Sequence, residues 1–322
     1  MGAKTSGLVL GFLVSLAVVA AAKAEPAVVA SIKPIHSLVA AVMDGVGDPK
    51  LIVAGAGSPH AHSLRPSQAR ALEQARVIFW IGPALEAFLE KPIKTLGQRA
   101  KVVQLMDAGG ITRLSLRGGG LFGNGRLGVA QSGADHLASK VEPGGDEHGS
   151  FDPHIWLDPV NAKAMVRTIA ATLADADPDH ATTFAANADA VIGRLDDLIV
   201  EIVEILEPVR DHRFMVFHDA FQYFEKRFGL AAAGSLTVNP EVMPGAERLT
   251  EIRSWALTFG AICVFSEPQY QPKLMAVVGE GGGAKSGMLD PLGALIDAGP
   301  DLYFGLLRDM ASSVRVCLAD GA

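Results

Sequence analysis

The chain has 322 residues and a formal net charge of −7, from 28 basic and 35 acidic side chains. An acidic balance disfavours a nucleic-acid partner, whose phosphates are held by clustered Lys and Arg. At this length two domains are expected, each large enough to bury its own core.

The N-terminus reads as an export signal. Lys4 precedes an apolar run from residue 8 to 22, and Ala22-Lys23-Ala24 has the small-x-small pattern of a cleavage site ahead of Glu25. The run is shorter than the roughly 20 residues a spanning helix needs, and no later stretch supplies one. No Cys lies near the cleavage site to carry a lipid, so a free periplasmic protein of a Gram-negative cell is the simplest address. Removing 24 of the 322 residues leaves 298, and because two lysines and no acid are lost, the net charge moves from −7 to −9. The only cysteines, Cys263 and Cys317, then lie in an oxidising compartment. That favours a disulfide over two free thiols acting as metal ligands.

Residues 28–32, 51–54 and 77–81 read as strands, with helical patterns at 35–43 and 66–75 between them. This βα alternation predicts a parallel sheet. Pro66 suits a first helical turn that Ser63 or Ser67 can cap, which places His60 in a strand-to-helix loop. From 109 to about 149 the pattern gives way to Gly-rich, acidic sequence with His136 and His148, read as a flexible surface loop. Helical periodicity returns at 160–173 and again from 182 to about 206, where 1.5 Å per residue gives a span of roughly 37 Å. A second βα series follows, with strands at 214–217, 261–265 and 285–289 and helices at 220–227, stopped by Gly229, and at 272–278. The expected organisation is a signal at 1–24, an N-terminal lobe at 25–160, a linker at 161–207 containing a long spine helix, and a C-terminal lobe at 208–322. The two halves share an architecture without a visible sequence repeat.

Three histidines stand at or just beyond strand-type runs: His60 in Ser58-Pro59-His60, His154 in Asp152-Pro153-His154, and His218 in Phe217-His218-Asp219. Such positions are where α/β folds place ligand-binding groups, and three converging imidazoles suit zinc. A lone histidine is more often structural or solvated; the shared setting is what singles these out. His62 competes with His60 as the ligand if the loop turns differently, whereas in an extended segment it would point to the opposite side; His36, His180 and His212 read as packing or surface groups. Asp158 and Asp219 are placed either to orient a ligating imidazole or to cap the following helix. Asp290, directly after a strand, is a possible fourth ligand, with water as the alternative. The run Gly279–Ser286 is no phosphate loop, because Ala284 stands where a glycine must precede the lysine and the run leads into a strand. Neither His-Glu-x-x-His nor Gly-x-Ser-x-Gly occurs.

Taken in order, Val29-Ala-Ser-Ile-Lys-Pro-Ile-His-Ser-Leu38, Ser58-Pro-His-Ala-His-Ser-Leu-Arg-Pro-Ser67, His154-Ile-Trp-Leu-Asp-Pro159, Phe217-His-Asp-Ala-Phe-Gln-Tyr-Phe224, Val238-Asn-Pro-Glu241 and Cys263-Val-Phe-Ser-Glu-Pro-Gln269 resemble the zinc-binding ZnuA-like periplasmic proteins of ABC importers. The resemblance implies two Rossmann-like lobes joined by a long rigid helix, with metal in the cleft between them. It places His60, His154 and His218 on the family's three ligating histidines and matches the cysteine pair to a C-terminal disulfide. Related manganese proteins carry a glutamate as third ligand, so His218 argues for zinc. Pro59 occupies a position that is acidic in some relatives, which removes a fourth ligand from that loop and leaves Asp290 or water. The central loop holds only His136 and His148, few for a metal-scavenging segment.

The expected function is therefore that of a monomeric periplasmic receptor that binds Zn²⁺ and hands it to a membrane permease, with no chemistry on the ion. The rival readings are a manganese or broad divalent-metal receptor, an exported metal buffer or adhesin, and a zinc hydrolase, for which no general base beyond Asp290 or Glu267 is in view.

Overall fold

The computed structural model describes residues 27–117, 120–122, 150–237, 240–241, 263–270 and 285–319, with 2, 245, 250 and 254 as isolated positions. Nearly all of the export signal, residues 123–149 with His136 and His148, Val238-Asn239, the helix expected at 272–278 and most of the 279–286 run lie outside the described residues.

Four strands, β1 (Val28–Ile32), β2 (Lys50–Val53), β3 (Val77–Trp80) and β4 (Lys101–Gln104), form a wholly parallel sheet in the order β2-β1-β3-β4. β1 and β3 are buried along their whole length and apolar but for Ser31, as befits central parallel strands covered on both faces. Helices α1 (Lys33–Val42), α2 (Pro66–Gln74) and α3 (Ala87–Leu96) supply the crossovers. Neither Ser63 nor Ser67 caps α2. The backbone N–H of Arg65 donates to Gln68 Oε1 at 2.7 Å, an amide side chain reaching back from inside the first turn.

The second sheet contains β5 (Gly120–Leu121), β6 (Phe214–His218), β7 (Ala232–Thr237), β8 (Cys263–Ser266) and β9 (Lys285–Met288), in the order β5-β7-β6-β8-β9. Its four later strands are parallel and repeat the winding of the first sheet, their first strand lying inside and their second on its flank. The two lobes are thus alike in topology, and the expected α/β architecture holds. One feature departs from it. β5, from within the Gly-rich segment assigned to the N-terminal lobe, pairs antiparallel with β7 as the edge of the second sheet. Earlier residues of the same stretch are paired as well: Ser115 bridges Phe151, and Leu116 N–H donates to Ser150 O at 3.1 Å.

Between the sheets run α4 (Pro159–Ala176) and α5 (Ala181–Leu206). The 26 residues of α5 span about 39 Å. Its buried positions, Phe184, Ala188, Val191, Leu195, Leu198, Ile202 and Leu206, recur every three or four residues and form one apolar stripe. The stripe packs against α4, α1 and the terminal helix α7 (Leu302–Ala319). Cys317 on α7 is disulfide-bonded to Cys263 on β8. Gly287, opposite Phe265 in the β8–β9 pair, is required there, because a Cβ would stand 2.4 Å from the Phe265 ring.

The lobes are tied directly. Lys33, 5% exposed at the start of α1, donates to the carbonyls of Gly293 at 2.6 Å, Ala294 at 3.2 Å and Ile296 on the opposite lobe. Trp156 Nε1 donates to Pro291 O at 2.7 Å, and Tyr303 OH to Trp156 O at 2.6 Å. No helix among the described residues is long and apolar enough to cross a membrane.

Candidate metal centre

His60 lies in the loop from β2 to α2, where its backbone N–H donates to Ser58 Oγ at 3.2 Å. Gly55 turns the chain out of β2 at a φ of 69°, a conformation that favours glycine. His154 opens the short 3-10 turn Ile155–Leu157, and His218 is the last residue of β6. These three sequence positions are far apart, yet their ring centroids lie 4.9–5.6 Å from one another. One nitrogen from each ring lies within 4.8 Å of the others, a slightly open version of the spacing of about 3.3 Å that a tetrahedral zinc with 2.0–2.1 Å bonds would impose. His154 and His218 are buried, at 4% and 3% exposure, and His60 is half-buried.

Each buried imidazole has a carboxylate behind it. His154 Nδ1 donates to Asp152 Oδ1 at 2.7 Å, and the His154 backbone N–H donates to the same oxygen at 3.0 Å. Nε2 is thereby left for a ligand. Asp152 is itself fixed by α6 (Gln222–Phe228): Gln222 Nε2 donates to Oδ2 at 3.0 Å and Tyr223 OH to the backbone carbonyl at 2.9 Å. Burial works to raise the Asp152 pKa, but the His154 ring and the bonds from His154 and Gln222 outweigh it and leave it lowered. His218 Nδ1 stands 3.5 Å from Glu267 Oε1, with both side chains buried. Glu267 follows β8, which neighbours β6, so the parallel register carries both residues out of the sheet side by side.

Burial, reinforced by the nearby His154 and His218, lowers the His60 pKa to about 2. Desolvation thus favours the neutral His60 ring, and a neutral imidazole is the form that binds metal.

Asp290 is not part of this group. Its Oδ1 accepts from Leu292 N–H and Gln269 Nε2, both at 3.0 Å, and its Oδ2 accepts from Ala294 N–H. It shapes the turn after β9, and among the described residues only His60, His154 and His218 come together as a metal-sized cluster. Asp158 acts as a cap, accepting from Val160 N–H at 2.8 Å, and pairs with Arg227 Nε and Nη2. Asp219 does neither of the things expected of it. No side chain caps α6, and the Asp219 carboxylate is gripped by Arg117. His62 faces away, its ring on Phe88 and its Nε2 3.2 Å from Gln68 Oε1.

Sequence reasoning did not assign Asp152 and Glu267 to these roles, although signals for both were present. Asp152-Pro-His154 is a short loop in which an aspartate can accept from the residue two positions on, and Glu267 stands just beyond a strand-type run. The three imidazoles open onto a cavity of about 610 Å³, whose walls include Leu116, Phe151 and Asp219. A site with three imidazole nitrogen donors and one open side can hold a borderline-soft divalent cation and release it.

A family model described as "Zinc-uptake complex component A periplasmic" matches residues 28–317. The high-affinity zinc uptake system protein ZnuA of Brucella suis biovar 1 is 50% identical over 306 residues, covering 91% of either chain. The protein of the same name from Yersinia pestis is 36% identical over 296 residues, covering 92% of either. A crystal structure of ZnuA superposes with a TM-score of 0.73 at 25% identity, covering 90% of this chain and 98% of the other. The likeness read from the sequence motifs thus extends through almost the whole chain, and the protein belongs to the ZnuA family of periplasmic zinc-uptake components.

Proposed function

We propose that the chain is a periplasmic zinc receptor that binds one Zn²⁺ through His60, His154 and His218, with water in the fourth position, and delivers it to an ABC permease. The observation that carries this reading is the convergence of three imidazoles at a point between the lobes, two of them backed by buried carboxylates. Family membership supports the transport role and the periplasmic address. Three nitrogen donors favour zinc over manganese, which prefers oxygen. The two candidate bases for a hydrolytic role are otherwise engaged: Asp290 is committed to its turn and Glu267 faces His218.

Zinc titration of the metal-stripped mature protein tests the ligand set. His218→Ala should weaken binding by more than the roughly 10–100-fold that follows loss of an outer partner. His36→Ala, whose ring is occupied by Pro49 O, should leave binding unchanged. Equal effects of the two substitutions would refute the assignment. Zinc-dependent transport in vesicles reconstituted with the cognate permease separates a receptor from a metal buffer.

A further inference from the structure

We propose that Arg117 sets the metal preference of the site by holding the Asp219 carboxylate away from the ion; this rests on the three-histidine reading above. Asp219 is the residue after His218, is 7% exposed, and lines the same cavity as the three imidazoles. An anionic oxygen one residue from a ligand is a ready additional donor for a divalent cation, and a hard one. In the structure it is turned to another partner. Arg117 Nε donates to Oδ1 at 3.0 Å and to Oδ2 at 3.1 Å, and Nη2 also donates to Oδ1.

The guanidinium is fixed from its other sides. Nη1 donates to Glu225 Oε2 at 3.0 Å and Nη2 to Glu225 Oε1 at 2.8 Å, while the Phe122 ring centroid lies 3.8 Å from the guanidinium carbon. Glu225 is anchored in turn by Ala232 N–H at 3.0 Å. A planar fork can serve two carboxylates at once, whereas a lysine ammonium offers a single point charge. Two carboxylates against one guanidinium leave one negative charge beside the site. That charge attracts a cation while offering it no free oxygen.

Without Arg117, Asp219 would be a buried carboxylate lacking its counter-charge, a costly state relieved by the nearest cation. With metal bound, that cation is the ion itself. The ligand set would then gain oxygen and coordination number, the direction that favours manganese over zinc.

The test uses metal-stripped mature protein, with Zn²⁺ and Mn²⁺ affinities from competition and Co²⁺ absorption as the report on coordination number. Wild type should show the intense visible bands of four-coordinate Co²⁺. Arg117→Gln should raise the ratio of Mn²⁺ to Zn²⁺ affinity about tenfold, equivalent to about 1.4 kcal/mol, and weaken those bands. Arg117→Gln with Asp219→Asn should restore both readings. An unchanged ratio and spectrum in Arg117→Gln, or a double variant that stays shifted, overturns the proposal. If Arg117→Gln does not fold, Arg117→Lys, which keeps the charge and loses the fork, is read against the same two outcomes. Undiminished zinc binding by His218→Ala would instead refute the underlying ligand set, so the two failures are distinguishable.

Discussion

Asp152 does more for His154 than supply a hydrogen bond. One of its oxygens holds both the ring and the backbone N–H of the histidine, so the rotamer and the tautomer are fixed before metal arrives. Asp152→Asn keeps the shape but loses the charge and puts a donor among donors. Zinc affinity should fall by about 10–100-fold in equilibrium titration, and an unchanged affinity would show that orientation of His154 comes from its packing on Trp156 instead. The three histidines were legible in the sequence because each stands at a strand end or in a loop bounded by evident elements. Asp290 met the same criterion, yet the structure does not bring it to the cluster: the amides of Leu292 and Ala294 curl over its carboxylate, a local turn that strand-end position does not reveal. Asp219 failed for the opposite reason. Its partner Arg117 lies 102 positions away, in a stretch whose composition suggested only a loop.

At the scale of elements, strong patterns were readable and weak ones were not. β1, β3 and β6 are runs that are apolar but for Ser31 and the terminal His218, and α4 and α5 carry helical periodicity over several turns. β7, Ala-Ala-Gly-Ser-Leu-Thr, has a loop-like composition and is a strand because it lies between β5 and β6. β4 is short and half-exposed, α3 contains Pro92, and α7 is interrupted by Gly305 and Ser312-Ser313, which hides its buried stripe. The disulfide joins β8 to α7 across 54 positions. Replacing both cysteines with serine should cost about 2–4 kcal/mol, measured as a lower denaturant midpoint. Zinc affinity should stay the same, because Cys263 opens β8 whereas Glu267 follows its far end, about 13 Å away. A large loss of zinc binding would contradict that separation.

For the molecule as a whole, the contacts between lobes decide how it unfolds. The Lys33 ammonium reaches three carbonyls of the opposite lobe, Trp156 is bonded to both Pro291 and Tyr303, and α7 packs on α1 and α5. Burial lowers the Lys33 pKa, against the raising influence of Asp290 and Asp297, so the carbonyls carry the work of replacing its hydration. Calorimetry should therefore record one unfolding transition, and two resolved transitions would mean that the lobes melt separately. Zinc held at 100 times its Kd should raise that single transition by about 2.7 kcal/mol of added stability.

The antiparallel pairing of β5 with β7 bears on modularity. The two lobes repeat one winding order and look exchangeable, yet the second lobe's sheet is finished by a strand encoded more than 90 residues before its own first strand. A C-terminal lobe produced alone from residue 208 would lack Arg117 and would expose the bare edge of β7, an invitation to pair with another copy. Lobes exchanged between relatives would have to carry the crossing segment with them. The structural unit here is the pair of lobes with the strand that stitches them.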